Sequence, residues 1–361
     1  MKKIKVLIID DSQLIQELLT TIFSSDNRLK VVGCANDPHE ARQMIKDLNP
    51  DVLTLDVEMP RMNGITFLKN VMRLRPMPVV MISTLTSEGS QITMQALETG
   101  AIDFVEKPVH LNKILEEYKH TIISKVMTAA SVPKSKLLRF QNRLTAEEKA
   151  KIKPIDIQRA MAINIPSQPS NKIIAIGGST GGLEALRAML SNTRFTGCES
   201  IVVALHLPGS FTASYARRLN EYLPVTVKEA EEGERILPGH VYIAPGGKHL
   251  KIKRRAVGYQ CKLEESDPVN RHRPSVDVLF ESVAEQAKAD ALGILLTGMG
   301  KDGAVGLLKI LQMGGHTYAQ DEESSVVWGM PGSAVAIDAV ATDNVKDLNK
   351  LASVIPVFAK Q

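Results

Sequence analysis

The chain of 361 residues is poor in cysteine, has no long apolar run, and carries little net charge for its length. Its three cysteines, Cys34, Cys198 and Cys261, lie far apart without CxxC spacing. That argues against a disulfide framework or a cysteine-built metal site and suits thiols in a reducing compartment. No stretch reaches the roughly 18–20 uninterrupted apolar residues that would span a bilayer. The opening "MKKIKVLIIDDSQ" has only four apolar residues in a row before two aspartates. This is too short for the core of a secretion signal and reads as a buried strand ending in acid. A formal charge of +4 does not by itself suggest nucleic acid or membrane. The expectation is a cytoplasmic protein of two ordinary domains.

What is present is alternation. Over residues 1–125, strand-like runs such as "IKVLIID", "LKVVGCA", "DVLTLD", "PVVMIS" and "DFVEKP" alternate with helical patterns such as "QLIQELLTTIF" and "GITFLKNVMRL". Apolar runs suit strands covered on both faces, and five strand–helix pairs imply a parallel, doubly wound α/β sheet, a (βα)5 domain. Residues 126–170 change character, with scattered prolines and a basic bias but no persistent apolar face, and read as a linker. From 171 to 361 the alternation resumes as a second doubly wound α/β domain. There "VYIAPGGKHLKIKR" is expected to add a hairpin.

In such sheets chemistry gathers at the carboxyl ends of the strands. Asp10 and Asp11 end the first strand, Asp56 ends the third, and Lys107 follows the fifth. Clustered carboxylates repel unless a cation sits among them, and an all-oxygen set suits Mg²⁺. Lys107 could then neutralise an incoming phosphoryl group. Solvated loop acids that cap helices are the other reading of the same pattern. The motifs "LIIDDS", "LTLDVEMPRMNG", "VVMIST" and "DFVEKP" resemble the receiver domain of bacterial response regulators. The resemblance implies phosphorylation of Asp56 by a histidine kinase. It also implies Mg²⁺ held by Asp11, Asp56 and the Glu58 backbone carbonyl, with Asp10 acting through water. Ser83 is then the hydroxyl switch and Phe104 its aromatic partner.

The second half opens on "IIAIGGSTGGLEAL". Its glycines fit neither a dinucleotide fingerprint, because Ser179 stands where the second glycine belongs, nor a P-loop, because Gly182 is followed by leucine and glutamate. Residues 177–181 do match G-x-S-x-G on a strand-to-helix turn. There small neighbours leave the Ser179 hydroxyl exposed and the helix N–H groups face the same spot. A nucleophile, a structural turn and an anion site all remain open for it. A serine nucleophile needs a base. Of His206, His240, His249, His272 and His316, His206 stands directly after the apolar run "SIVVAL", although a buried structural histidine would also fit. Asp302, in "LLTGMGKDGA", is either the third member of a triad or the N-cap of the next helix. The order Ser, His, Asp differs from the Ser, Asp, His of α/β-hydrolases, so another scaffold is expected.

The motifs "IGGSTGG", "LHLPGSFTASYARRL", "VYIAPGGKHL", "RHRPSVDVLF", "LLTGMGKDGA" and "QDEESSVVWGMPGSA" resemble the catalytic domain of the chemotaxis protein-glutamate methylesterases, the CheB family. The resemblance implies attack by Ser179, acid–base work by His206, orientation by Asp302, and an oxyanion hole of backbone N–H groups at Thr180 and Met299. It also implies chemoreceptor substrates, a chemotaxis histidine kinase as phosphodonor, and hydrolysis without a cofactor. Regulation follows from the architecture: phosphorylation of Asp56 shifts a docking equilibrium between the two halves. A monomer is expected. The competing readings are a non-catalytic receptor-binding adaptor and a DNA-binding regulator; the second lacks a basic helix-turn-helix after the linker.

Overall fold

Apolar runs without alternation have two faces to cover. In the first of two units, Met1–Ile152, they become strands β1 (Ile4–Ile9), β2 (Leu29–Ala35), β3 (Val52–Asp56), β4 (Val79–Ser83) and β5 (Asp103–Glu106). Every pairing is parallel, in the order β2-β1-β3-β4-β5. Helices α1 (Gln13–Ser24), α2 (Pro38–Leu48), α3 (Gly64–Leu74), α4 (Ser87–Thr99) and α5 (Leu115–Ser131) alternate with them. The computed structural model describes residues 2–59, 63–83, 87–107, 115–138 and 171–360. Most of the segment read as linker, 139–170, lies outside them.

Helix boundaries follow local chemistry. Asp37 Oδ1 accepts the N–H groups of His39 and Glu40 at 2.8 and 2.9 Å, Pro38 opens α2, and Asn49 closes it at φ +47°. α5 runs to Ser131, into the segment that composition marks as linker. Ile122, Val126 and Ala129 lie on one helical face and are fully buried, so its apolar stripe continues past residue 125.

In the second unit, Lys153–Gln361, a seven-stranded parallel sheet has the order β15-β14-β13-β6-β7-β10-β8. Its members are β6 (Ile173–Gly178), β7 (Ser200–Leu205), β8 (Thr226–Glu229), β10 (His240–Ile243), β13 (Ala291–Leu295), β14 (His316–Gln320) and β15 (Val345–Lys346). The helices are α6 (Gly182–Asn192), α7 (Gly209–Tyr222), α8 (Val276–Ala287), α9 (Ala304–Gln312), α10 (Gly329–Ala336) and α11 (Leu348–Lys360). A small antiparallel sheet of β9 (Arg235–Ile236), β11 (His249–Arg254) and β12 (Tyr259–Glu264) decorates it.

The hairpin lies one strand later than expected. The run at Val241–Ile243 is buried on both faces and so joins the parallel sheet as β10, between β7 and β8. The alternating "HLKIKR" forms β11 and pairs with β12, across a turn where Arg255 N–H donates to the Gly258 carbonyl at 3.0 Å. One-sided patterning suits an antiparallel ribbon, and continuous apolarity suits a parallel interior strand.

In the first sheet consecutive strands part between β1 and β3, and in the second β6 has β7 on one side and the much later β13 on the other. Crevices for ligands open there, beyond the strands' carboxyl ends. Helices α8 and α9 cross closely, because a Cβ on Gly306 would lie 2.7 Å from Phe280 Cβ and 2.9 Å from the Asp277 carbonyl oxygen. Gly306→Ala is expected to lower the unfolding free energy of this unit by about 1–3 kcal/mol, read from urea denaturation. An unchanged midpoint would mean the helices separate at little cost.

Candidate functional site

In the first unit the β1/β3 switch point brings the predicted acids together. One carboxylate oxygen each from Asp10, Asp11 and Asp56 lies within 4.8 Å of the others. Asp10 and Asp56 are buried and Asp11 is exposed. Lys107 Nζ bridges the buried pair, 2.9 Å from Asp10 Oδ2 and 2.8 Å from Asp56 Oδ2. Backbone donors complete the set: Ser12 N–H to Asp10 Oδ1 at 2.9 Å and Val57 N–H to Asp56 Oδ1 at 2.7 Å. Burial pushes the Asp56 carboxyl up to about 6; the Lys107 ammonium pulls it down, and the nearby Asp10 adds to the rise. Burial would lower the Lys107 pKa, but Asp56 and Asp10 outweigh it and leave it raised.

The remaining expected residues lie on β5 and at or just past the ends of β3 and β4. Glu58 is exposed and supports the Asp56 carboxyl through its backbone N–H. Ser83 is buried at the end of β4, and its carbonyl accepts the Lys107 N–H at 2.8 Å. Phe104 is buried in β5, where the Lys125 ammonium lies 4.9 Å from its ring centroid. Three carboxylates with one exposed member form an oxygen-only set of the kind that suits Mg²⁺.

In the second unit Ser179 follows β6, His206 follows β7, and Asp302 lies in the loop between β13 and α9. These three strands are neighbours in the sheet, in the order β13-β6-β7. Ser179 and His206 thus leave the ends of adjacent parallel strands, and a loop of a few residues carries Asp302 to them. His206 Nδ1 is 3.0 Å from Ser179 Oγ, and His206 Nε2 is 2.7 Å from Asp302 Oδ2. An ionised carboxylate only accepts, so Nε2 carries the proton and Nδ1 is left to accept from the serine hydroxyl. The ring nitrogens have exchanged the places they hold in the chymotrypsin arrangement, with the same donor–acceptor logic.

Asp302 is 2% exposed. Its Oδ2 also accepts Val276 N–H at 2.7 Å, and Oδ1 accepts Asn270 Nδ2 at 2.7 Å, Ser275 Oγ at 2.8 Å and Asp277 N–H at 3.3 Å. Two of these donors open α8, so the helix N-terminus faces the charge. Burial alone would raise this carboxyl; His206, Asn270 and the Val276 N–H reverse the effect and hold it below the usual carboxylate range. Asp277, bonded to Gly306 N–H and Asn270, is shifted the other way by its burial.

The turn that presents Ser179 is closed by Gly182 N–H donating to the Ser179 carbonyl at 2.6 Å, with Gly181 at φ +76°. Ser179 N–H donates to the Thr297 carbonyl at 3.0 Å. Gly298 packs directly on the serine, since a Cβ there would stand 2.9 Å from Ser179 Cβ. Thr180 and Met299, the expected oxyanion donors, are the neighbours of these two contacting residues in the chain. The buried Thr297 hydroxyl bridges the two loops: it lies 3.1 Å from the Thr180 carbonyl and 3.0 Å from that of Val327, and it accepts Val327 N–H at 3.0 Å. Gln320 Oε1 accepts Thr297 N–H at 2.8 Å.

Sequence reasoning assigns no role to Asn270, His272, Ser275, Asp277, Thr297 or Gln320. Four of them fall in or beside "RHRPSVDVLF", whose density of polar residues ahead of an apolar helix is the available signal. Among the other histidines, His249 accepts Ser275 N–H at Nδ1 within the core, and His240 and His316 meet Pro238 and Phe358.

Protein-family models match the chain in two places: the response regulator receiver domain over residues 6–119 and the CheB methylesterase over residues 174–355. A protein-glutamate methylesterase/protein-glutamine glutaminase of Hahella chejuensis is 51% identical, over 98% of this chain and 95% of its own. One from Pectobacterium atrosepticum is 50% identical, over 97% and 95%. The solved Thermotoga maritima CheB methylesterase catalytic domain is 40% identical over 53% of this chain and 98% of its own, with a TM-score of 0.49.

Thr297→Val keeps the volume and strands the polar groups its hydroxyl serves. A loss of about 1–3 kcal/mol in unfolding free energy is expected in urea. An unchanged value would mean that solvent replaces the hydroxyl.

Proposed function

The chain belongs to the CheB methylesterase family, with a response regulator receiver domain ahead of the catalytic domain, and on that premise we propose a phosphorylation-activated serine hydrolase. It removes methyl esters from glutamate side chains of chemoreceptors and deamidates selected receptor glutamines. The observation that carries the reading is the continuous hydrogen-bond chain from Ser179 through His206 to the buried, multiply bonded Asp302. A non-catalytic adaptor has no use for an ionised carboxylate held out of water behind an imidazole.

Ser179 Oγ attacks the ester carbonyl while His206 Nδ1 takes its proton. The tetrahedral oxyanion is met by the backbone N–H groups of Thr180 and Met299, with roughly 10²–10³-fold in rate riding on such a donor. The C–O bond to the leaving group breaks, His206 returns the proton, and methanol departs to leave a glutamyl ester on Ser179. Water, deprotonated by His206, then releases glutamate and restores the serine. An amide takes the same route and releases ammonia. Asp302 holds the tautomer and stabilises the imidazolium that forms between the two proton transfers.

In the receiver, Asp56 accepts a phosphoryl group from a histidine kinase. Asp11, Asp56 and the Glu58 backbone carbonyl would hold Mg²⁺, with Asp10 acting through water; the oxygen-only carboxylate cluster supports that set. The ion, when bound, supplies positive charge to the phosphoryl oxygens. Lys107 shares that neutralisation, and Ser83 and Phe104 relay the change. Phosphorylation adds roughly −1.5 to −2 charges beside a lysine already committed to two carboxylates. Among the described residues no helix is long and apolar enough to cross a membrane. The working protein is taken to be a cytoplasmic monomer that meets receptors at their cytoplasmic helices.

Ser179→Ala is expected to lower methanol release from methylated receptor membranes by about 10³-fold or more; undiminished release would bring back the adaptor. With the intact chain, Mg²⁺ and a small phosphodonor should raise release, and Asp56→Asn or chelation should remove the increase. A rate indifferent to the phosphodonor would sink the regulatory part alone.

A further inference from the structure

His272 covers one face of the His206 imidazole. The two ring centroids are 3.5 Å apart and the planes differ by 10°. Both nitrogens of His206 are committed, Nδ1 to Ser179 and Nε2 to Asp302. Those two bonds set the direction of the ring within its plane. They oppose rocking about the line that joins the nitrogens only weakly, because such a motion stretches neither bond at first. A flat group in contact with the face blocks that motion.

The element that delivers His272 also grips the other end of the relay. Val269 and His272 exchange both backbone hydrogen bonds, His272 N–H to the Val269 carbonyl at 2.9 Å and the reverse at 3.1 Å. Between them Asn270 and Arg271 stand at φ +53° and +69°. Positive φ at both central residues is what a two-residue type I′ turn demands, and for arginine it is an unfavourable conformation. The Asn270 amide donates to Asp302 Oδ1 and to Asp277 Oδ2, at 2.7 Å each, and so ties the turn down. One four-residue turn thereby touches two members of the triad: His272 the imidazole and Asn270 the carboxylate.

We infer that His272 is a positioning residue for the hydrolysis. Its stacked ring holds the His206 imidazole in the plane in which Nδ1 faces Ser179 Oγ, through both proton transfers. The inference rests on the reading of Ser179, His206 and Asp302 as the reacting set. The flat face carries the role, so another flat ring should replace it and a branched aliphatic side chain of similar bulk should not.

The experiment uses the full chain with Mg²⁺ and phosphodonor, and measures kcat and KM for methanol release from methylated receptor membranes. The variants are His272→Ala, His272→Leu, His272→Phe and Ser179→Ala, with thermal unfolding as a check on folding. His272→Ala and His272→Leu are expected to lower kcat by about 10–100-fold, the scale on which misplacement of a reacting group acts, with KM within about twofold of the parent. His272→Phe should recover to within about threefold of the parental kcat. Parental kcat in the leucine variant overturns the inference, and it decides the matter even if the alanine variant fails to fold. Phenylalanine no better than leucine overturns it as well, since the ring's polar atoms would then carry the effect. Activity retained by Ser179→Ala would remove the catalytic reading itself, a result distinguishable from either outcome at His272.

Discussion

Removing a carboxylate from water costs several kcal/mol unless donors replace the solvent. Asp302 receives five such bonds, from His206, Asn270, Ser275 and the Val276 and Asp277 N–H groups. Meeting that demand brings the β7 loop, the Val269–His272 turn and the start of α8 to one point. Once they converge, the remaining geometry follows. His206 has one nitrogen fixed by the carboxylate and the other free to accept from Ser179. His272 lies on its face, and α9 is drawn against α8, where Gly306 permits the close approach.

The first unit meets a different electrostatic problem in the same kind of crevice. Two buried carboxylates share one ammonium with the exposed Asp11 close by, and burial leaves Asp56 shifted to about 6 even with Lys107 at 2.8 Å. This centre is short of positive charge, which suits it to gain a cation and to respond when phosphate arrives. The Asp302 site has its charge matched by fixed donors and suits repeated turnover without rearrangement. The two centres differ in how far their charge is matched, and both sit at the carboxyl ends of parallel strands.

The large features were legible from one dimension. Continuous apolar runs separated by amphipathic helices forced parallel sheets in both units, and the acids at the ends of β1 and β3 could lie only on one edge. G-x-S-x-G between a strand and a helix marked the Ser179 turn. Adjacent, parallel β6 and β7 bring Ser179 to His206, and that adjacency follows from ordinary right-handed winding. Other assignments could not be made in this way. "VYIAPGGKHLKIKR" held one strand for each of two sheets, because pairing is decided by which neighbour covers both faces of Val241–Ile243 and not by proximity in the chain.

The sequence by itself determined the two α/β units, the acidic cluster and the serine turn, because periodicity and strand-end position are local properties that survive without knowledge of contacts. Tertiary structure alone decided which nitrogen of His206 faces Ser179, that Asn270 and the start of α8 hold Asp302, and that His272 rather than another histidine stacks on the imidazole. Those facts depend on contacts between residues about 25 to about 100 positions apart. Their energies come from replacing water around a buried charge, and that exchange has no trace in the pattern of any single segment.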